Sequence, residues 1–216
     1  MAFFISAHMV CAQAILTAVE RFSEISKRYE QFHDYTAKVI ITQDEITMKG
    51  ELFFYAPDKV RINFSMPKNQ VIAYDGKKLL VYIPRYNVVL SDELKGKILT
   101  QGIGAEGLKL LKQKYSIAYL SGPNPGPFNN GDSQELVIAF RLVWKSQSEG
   151  FRELQIFVNP DTKYIRRIVG ITATYQKLTM DLYNMKTNQN IPLTLFDYEP
   201  PGSANVFDAF LYQEKN

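Results

Sequence analysis

Apolar residues Ile15, Val19, Phe22, Ile25, Tyr29 and Phe32 recur at spacings of three and four, with Glu20, Arg21, Glu24, Lys27 and Arg28 between them. That period predicts an amphipathic helix whose stripe must cover another apolar surface. From residue 35 to residue 90 the pattern changes to short β segments, broken at Pro57-Asp58, Pro67-Lys68-Asn69, Asp75-Gly76 and Pro84-Arg85. Turn signals about every 8 to 10 residues predict an antiparallel meander. Asp75-Gly76 is the sharpest hairpin signal, because glycine accepts the positive φ of a tight turn. Between the breaks, Ile46, Met48, Leu52 and Phe54 alternate with Thr47, Lys49, Glu51 and Phe53, which gives one apolar face and one mixed face.

Residues 91–114 interrupt the meander. Ile98, Leu99, Ile103, Leu108, Leu110 and Leu111 lie there among Gly96, Gly102, Gly104 and Gly107, which predicts an apolar loop leading into a short helix. Glycine lowers the stability of such an element and gives it the means to move. The β pattern resumes at 115–121, and a Pro/Gly/Asn-rich surface loop occupies 122–132. Further strands are predicted near 135–144, 151–158, 164–170, 172–179 and 180–187, before a last segment at 193–198.

At the amino end, an apolar run at 3–10 leads to Cys11-Ala12-Gln13-Ala14, where Ala12 and Ala14 form the small-x-small pattern of a signal-peptidase site. The run is shorter than the roughly 20 residues of a spanning helix. Residues 1–14 are therefore predicted to be a cleaved signal peptide, and 15–216 a single domain. The absence of Lys or Arg before the run leaves a truncated start open, and a buried amino-terminal helix or strand is the competing reading. Cys11 also invites a reading as a lipid-modified cysteine, for which His8-Met9-Val10 is a poor approach.

Composition narrows the classes. A chain of 216 residues, 46% hydrophobic and 22% charged, is a folded globular chain, long enough to bury a core without disulfide or zinc support. The net charge of +3 is too small and scattered for a nucleic-acid surface. The 13 Tyr and 14 Phe favour pleated, half-buried surfaces and hence β structure.

The chemistry of an enzyme is hard to assemble. The histidines are His8 and His33, so a histidine-based triad or multi-histidine metal site is nearly excluded, and His33 is expected as a solvated or capping residue after the first helix. Asp44-Glu45 and Asp92-Glu93 are read as solvated turns, since neighbours on a strand point to opposite faces. Gly102-Ile103-Gly104-Ala105-Glu106-Gly107 has the spacing G-x-G-x-x-G but lacks the apolar strand before it and the acidic residue about 20 positions later that a dinucleotide site needs. No catalytic residue, metal or cofactor is predicted. What remains is an apolar surplus. Met48, Leu52, Phe54, Val60, Ile62 and Phe64 share one side of the alternating pattern and are the predicted wall of an apolar cavity, while Ile98, Leu99, Ile103, Leu108 and Leu111 are the apolar positions of the glycine-flanked segment that can move. Ordinary core packing is the competing reading for each.

Residues 50–62, Gly-Glu-Leu-Phe-Phe-Tyr-Ala-Pro-Asp-Lys-Val-Arg-Ile, and residues 70–84 around Asp75-Gly76-Lys77 resemble the LolA-type periplasmic lipoprotein carriers, in which a strand and an Arg-Pro-x-x-(aromatic or aliphatic)-x-Trp run precede a strand-Asp-Gly-Lys-strand hairpin. Leu182-Tyr183-Asn184 through Ile191-Pro192, Phe196 and Pro200-Pro201-Gly202 resemble the family's closing strand and Phe-x-x-Pro-Pro ending. The resemblance implies a mainly β fold: an unclosed antiparallel β-barrel of about 11 strands with an N-terminal helix and a helical lid, for which Ile98, Leu99, Ile103, Leu108 and Leu111 are the expected residues. It also implies a monomeric periplasmic carrier that is not an enzyme. Its expected partners are lipoprotein acyl chains and an inner-membrane ABC transporter of the LolCDE type, with an outer-membrane receptor left open and no nucleic acid. An envelope lipid sensor or anchored lipoprotein on the same fold is the alternative. The family commonly has an Arg before the proline that hydrogen-bonds the lid shut. Ala56 stands there in this chain, so the closed state needs another tie or is weaker, and cargo affinity and release need not follow the family's usual scheme. Ile62 stands at the family's Trp position.

Overall fold

The computed structural model describes residues 16–93, 103–128, 134–146 and 150–209. The predicted signal peptide, Ile98 and Leu99 therefore lie outside the described residues.

Helix α1 spans Ala18–Tyr29 and begins at a capping box: Glu20 N donates to Thr17 Oγ1 at 3.3 Å, and Thr17 N donates to Glu20 Oε2 at 2.8 Å. These bonds satisfy amide groups left over at a helix start. The carboxylate of Glu20 is held below its usual range by the hydrogen bonds from Thr17. The helix buries Ala18, Phe22, Ile25, Ser26 and Tyr29. Val19, expected on the apolar stripe, is 48% exposed, because the stripe runs through Ala18 instead.

The strands follow as β1 (Asp34–Gln43), β2 (Ile46–Tyr55), β3 (Lys59–Met66), β4 (Val71–Tyr74), β5 (Lys78–Ile83) and β6 (Val88–Glu93). After helix α2 (Ala105–Lys114) come β7 (Tyr115–Tyr119), β8 (Gly126–Pro127), β9 (Leu136–Trp144), β10 (Phe151–Val158), β11 (Ile165–Thr172), β12 (Lys177–Thr187) and β13 (Asn205–Asp208). They form one sheet in the order β13-β6-β5-β4-β3-β2-β1-β12-β11-β10-β9-β7, with β8 paired to β9. All pairs are antiparallel except β13 with β6. The sheet ends at β13 and β7, which are not paired to each other, so it is an unclosed barrel of 13 strands where about 11 were expected. The short β8 and β13 account for the excess.

The expected hairpin at Asp75-Gly76 is present. Gly76 has φ of 100°, and Asp75 Oδ1 accepts from the amides of Lys77 and Lys78 at 2.8 Å each. Asp44-Glu45 is the exposed turn between β1 and β2, and His33 is exposed just after α1. Asp92, expected in a solvated turn, is buried on β6, while Glu93 beside it is exposed: strand alternation sends one carboxylate inward. The segment predicted as a strand at 172–179 is instead the end of β11, a turn at 173–176 and the start of β12.

From Thr187 the chain crosses the outer face of the sheet as a strap that ends in β13. Asp34 anchors its start: the buried carboxylate accepts from Gln189 N at 2.6 Å and Ile191 N at 3.3 Å. Further along, Arg61 donates to Leu195 O at 2.6 Å and stacks over Tyr198, and Phe196 is buried against Tyr55. Burial lowers the Arg61 guanidinium's pKa.

Candidate functional site

The wall is built from cross-strand rungs. Tyr35, Phe54, Val60 and Tyr74 stand opposite one another on β1 to β4, and the next inward rung is Ala37, Leu52, Ile62 and Ile72. A further rung holds Val39, Gly50 and Phe64. Successive inward positions alternate with outward ones, so this face is set by the period of two that the sequence displays. Leu52, Phe54, Val60, Ile62 and Phe64 are all buried in one apolar cluster, and Met48 is partly buried against it.

The described part of the lid meets that wall directly. Ile103, Leu108 and Leu111 belong to the same buried cluster, with Leu108 and Leu111 fully buried. Gly104 sets how closely they approach: a methyl added there would lie 2.6 Å from Phe54 Cζ, so only glycine lets the start of α2 rest on that ring without displacing it. Gly104 of the G-x-G-x-x-G spacing thus serves packing, and Gly107 is a buried residue within α2.

A hydrogen bond ties the lid at the point where it touches the wall. Tyr35 Oη donates to Ile103 O at 2.6 Å in a fully buried setting, and the Tyr35 ring stacks on Phe54 with centroids 5.0 Å apart. Burial, reinforced by nearby Tyr29, pushes the Tyr35 hydroxyl well above the usual phenol range, so it stays a protonated donor. Tyr35, which sequence reasoning did not single out, thus joins the candidate wall to the candidate lid. Its inward placement was readable from the strand, but its partner lies 68 positions away. The far end of α2 is tied by Lys145 Nζ, which donates to the carbonyls of Lys112 and Gln113 at 3.1 Å each. On the surface Lys109 bridges Glu30, the C-cap residue of α1, and Glu106 at 3.1 Å each, and these bonds raise its pKa. Being exposed, that bridge adds little to the closed state.

Where α1, α2 and the end of β2 converge, a pocket of about 170 Å³ opens between Tyr29, Phe32, Phe54, Ala56, Pro57 and Ala105. Ala56 leaves open the space that a longer side chain would fill. Among the described residues no group of three or more His, Cys, Asp or Glu could hold a metal ion. No helix among them is long and apolar enough to cross a membrane, which says nothing of strands.

The fold recurs in solved structures of very low identity. An uncharacterized conserved protein from Thermus thermophilus matches with a TM-score of 0.56 at 12% identity, over 86% of this chain and 98% of that one. MucB matches with a TM-score of 0.54 at 8% identity, over 88% of this chain and 64% of that one. The MucA/MucB complex of Pseudomonas aeruginosa gives a TM-score of 0.50 at 8% identity, over 88% of this chain and 63% of that one. No protein of curated function matches the sequence. The sequence profile described as outer membrane lipoprotein carrier protein LolA matches residues 21–199, and with its open sheet, inward apolar wall and covering helices the chain belongs to that family.

Proposed function

We propose that the protein is a periplasmic carrier that holds lipoprotein acyl chains between the wall and the lid, performs no chemistry on them, and passes lipoproteins from an inner-membrane ABC transporter of the LolCDE type towards the outer membrane. The observation that carries this reading is the direct seating of Ile103, Leu108 and Leu111 on the wall cluster of Leu52, Phe54, Val60, Ile62 and Phe64. A lid that fills the site with its own side chains is a competitor for the cargo.

Magnitudes favour exchange. A 16-carbon acyl chain gains on the order of 10 kcal/mol on leaving water, at roughly 0.8 kcal/mol per methylene. Driving Ile103, Leu108 and Leu111 off the wall costs roughly 5–9 kcal/mol if each side chain is worth about 1.5–3 kcal/mol on burial. The difference is a few kcal/mol, enough to capture a chain and small enough to give it up to a receptor or membrane. Lid residues thereby set release as much as capture.

The test is mass spectrometry of the protein purified from its own envelope fraction. Co-purifying triacylated polypeptide is expected. Free fatty acid or phospholipid alone, or a mature protein permanently retained on the membrane through Cys11, would contradict the shuttle and favour a lipid sensor.

A further inference from the structure

On the face of the sheet opposite the wall, a groove of about 740 Å³ opens over β12, β1, β2 and β3. Alternation fixes its side: Val39, Leu52 and Ile62 are buried inward, so Lys38, Ile40, Lys49, Glu51 and Asn63 project outward. Register shifts beside Gly50 on the β2–β3 pair and between Thr36 and Lys38 on the β1–β12 pair bend the strands around it. The strap covers neighbouring positions of this face through Arg61 and Tyr55 but contributes no residue to the groove.

The lining has a defined chemistry. Lys38 stands opposite Glu51, and Ile40 stands opposite Lys49, so the lysines are diagonal neighbours across β1 and β2. Diagonal pairs are about 7–8 Å apart at the backbone, close enough for both side chains to converge on one headgroup. Neither ammonium group makes an ion pair among the described residues. Two lysines against Glu51 leave a single net positive charge, which suits a monoanion. Ile40 and the Tyr183 ring supply apolar surface beside it, and the volume lies within the roughly 300–1,000 Å³ usual for small-ligand sites.

We propose that this groove binds a single-chain monoanionic amphiphile, a fatty acid, with its carboxylate between Lys38 and Lys49 and its chain along Ile40 and Tyr183. The site is separate from the wall, so it stands or falls independently of the carrier function. Ammonium–carboxylate hydrogen bonds supply orientation, and the exposed charges make the affinity fall with salt.

The test is amide NMR of the full chain titrated with laurate below its micelle concentration, with acetate and dodecyltrimethylammonium as probes of headgroup and chain alone. Laurate should shift the Gly50, Asn63, Ser65 and Asn184 amides saturably. The double variant Lys38→Ala/Lys49→Ala, exposed and so able to fold, should bind at least tenfold more weakly. The wall variant Ile62→Glu should leave these shifts in place, and Ile40→Asn should weaken them. Shifts confined to Leu108, Leu111 and the wall would overturn the proposal. So would equal affinity for the cationic amphiphile or for acetate, or indifference to the lysine variants.

Discussion

At Gly104 the absence of one methyl group decides how the lid and wall meet. Gly104→Ala places a carbon 2.6 Å from the Phe54 ring, which must turn or push α2 outward. Overpacking of this kind costs about 1–3 kcal/mol, and the expected outcome is faster hydrogen exchange across α2 with little change in the β1–β2 hairpin. Tyr35→Phe keeps the ring stacked on Phe54 but strands the buried Ile103 carbonyl, at a cost of about 1–3 kcal/mol measured by denaturant unfolding. The same hydroxyl gives a pH signature. Its folded-state pKa is raised, so the stability it contributes is present in full below the unfolded phenol value of about 10 and is lost as the pH rises from there through the folded value. Unfolding free energy should therefore fall on the alkaline side, and less steeply in Tyr35→Phe. Equal alkaline slopes would show that Tyr35 does not hold its proton through burial. The inward set from Leu52 to Phe64 was legible in the sequence because a period of two is a local signal. The Tyr35–Ile103 bond was not, because nothing local marks which carbonyl a buried phenol will find.

The elements differ in how plainly they were written. The α1 stripe, the Asp75-Gly76 hairpin and the helix at the end of the glycine-rich stretch follow from spacing, turn chemistry and periodicity. The strap does not, because its ties are long-range: Asp34 accepts the amides of Gln189 and Ile191, which lie 155 and 157 positions away. Such a segment has no period of its own, and Leu193–Phe196 forms a 3-10 turn whose Phe196 is buried against the sheet. The buried carboxylate makes the strap breakable at its root. Asp34→Ala should cost more than about 2 kcal/mol, since bonds to a charged acceptor are worth about 1.5–3 kcal/mol each. Limited proteolysis should then cut near residues 188–191 before any site in β1. An unchanged cleavage pattern would mean that Phe196 and the Arg61–Leu195 bond suffice to hold the strap.

Across the whole molecule, the open sheet, the wall and the lid form one apolar interior whose closed state is made by the chain itself. The architecture is unclosed because β13 and β7 end the sheet without pairing to each other, and under the proposed function a guest is accepted by displacing the lid at a cost close to what the guest repays. Ile62→Glu introduces a charge at the centre of the wall and should abolish uptake of a triacylated lipopeptide while the circular dichroism of the sheet persists. Uptake at the native level would remove Ile62 from the site.

The most direct test of the central claim is hydrogen exchange of α2 with and without bound triacylated lipopeptide. If acyl chains take the place of Ile103, Leu108 and Leu111 on the wall, protection across residues 105–114 falls on binding while protection of β1 to β3 holds or rises. Lid amides that stay as protected as in the free protein, with cargo demonstrably bound, would show that the chains do not enter beneath the lid.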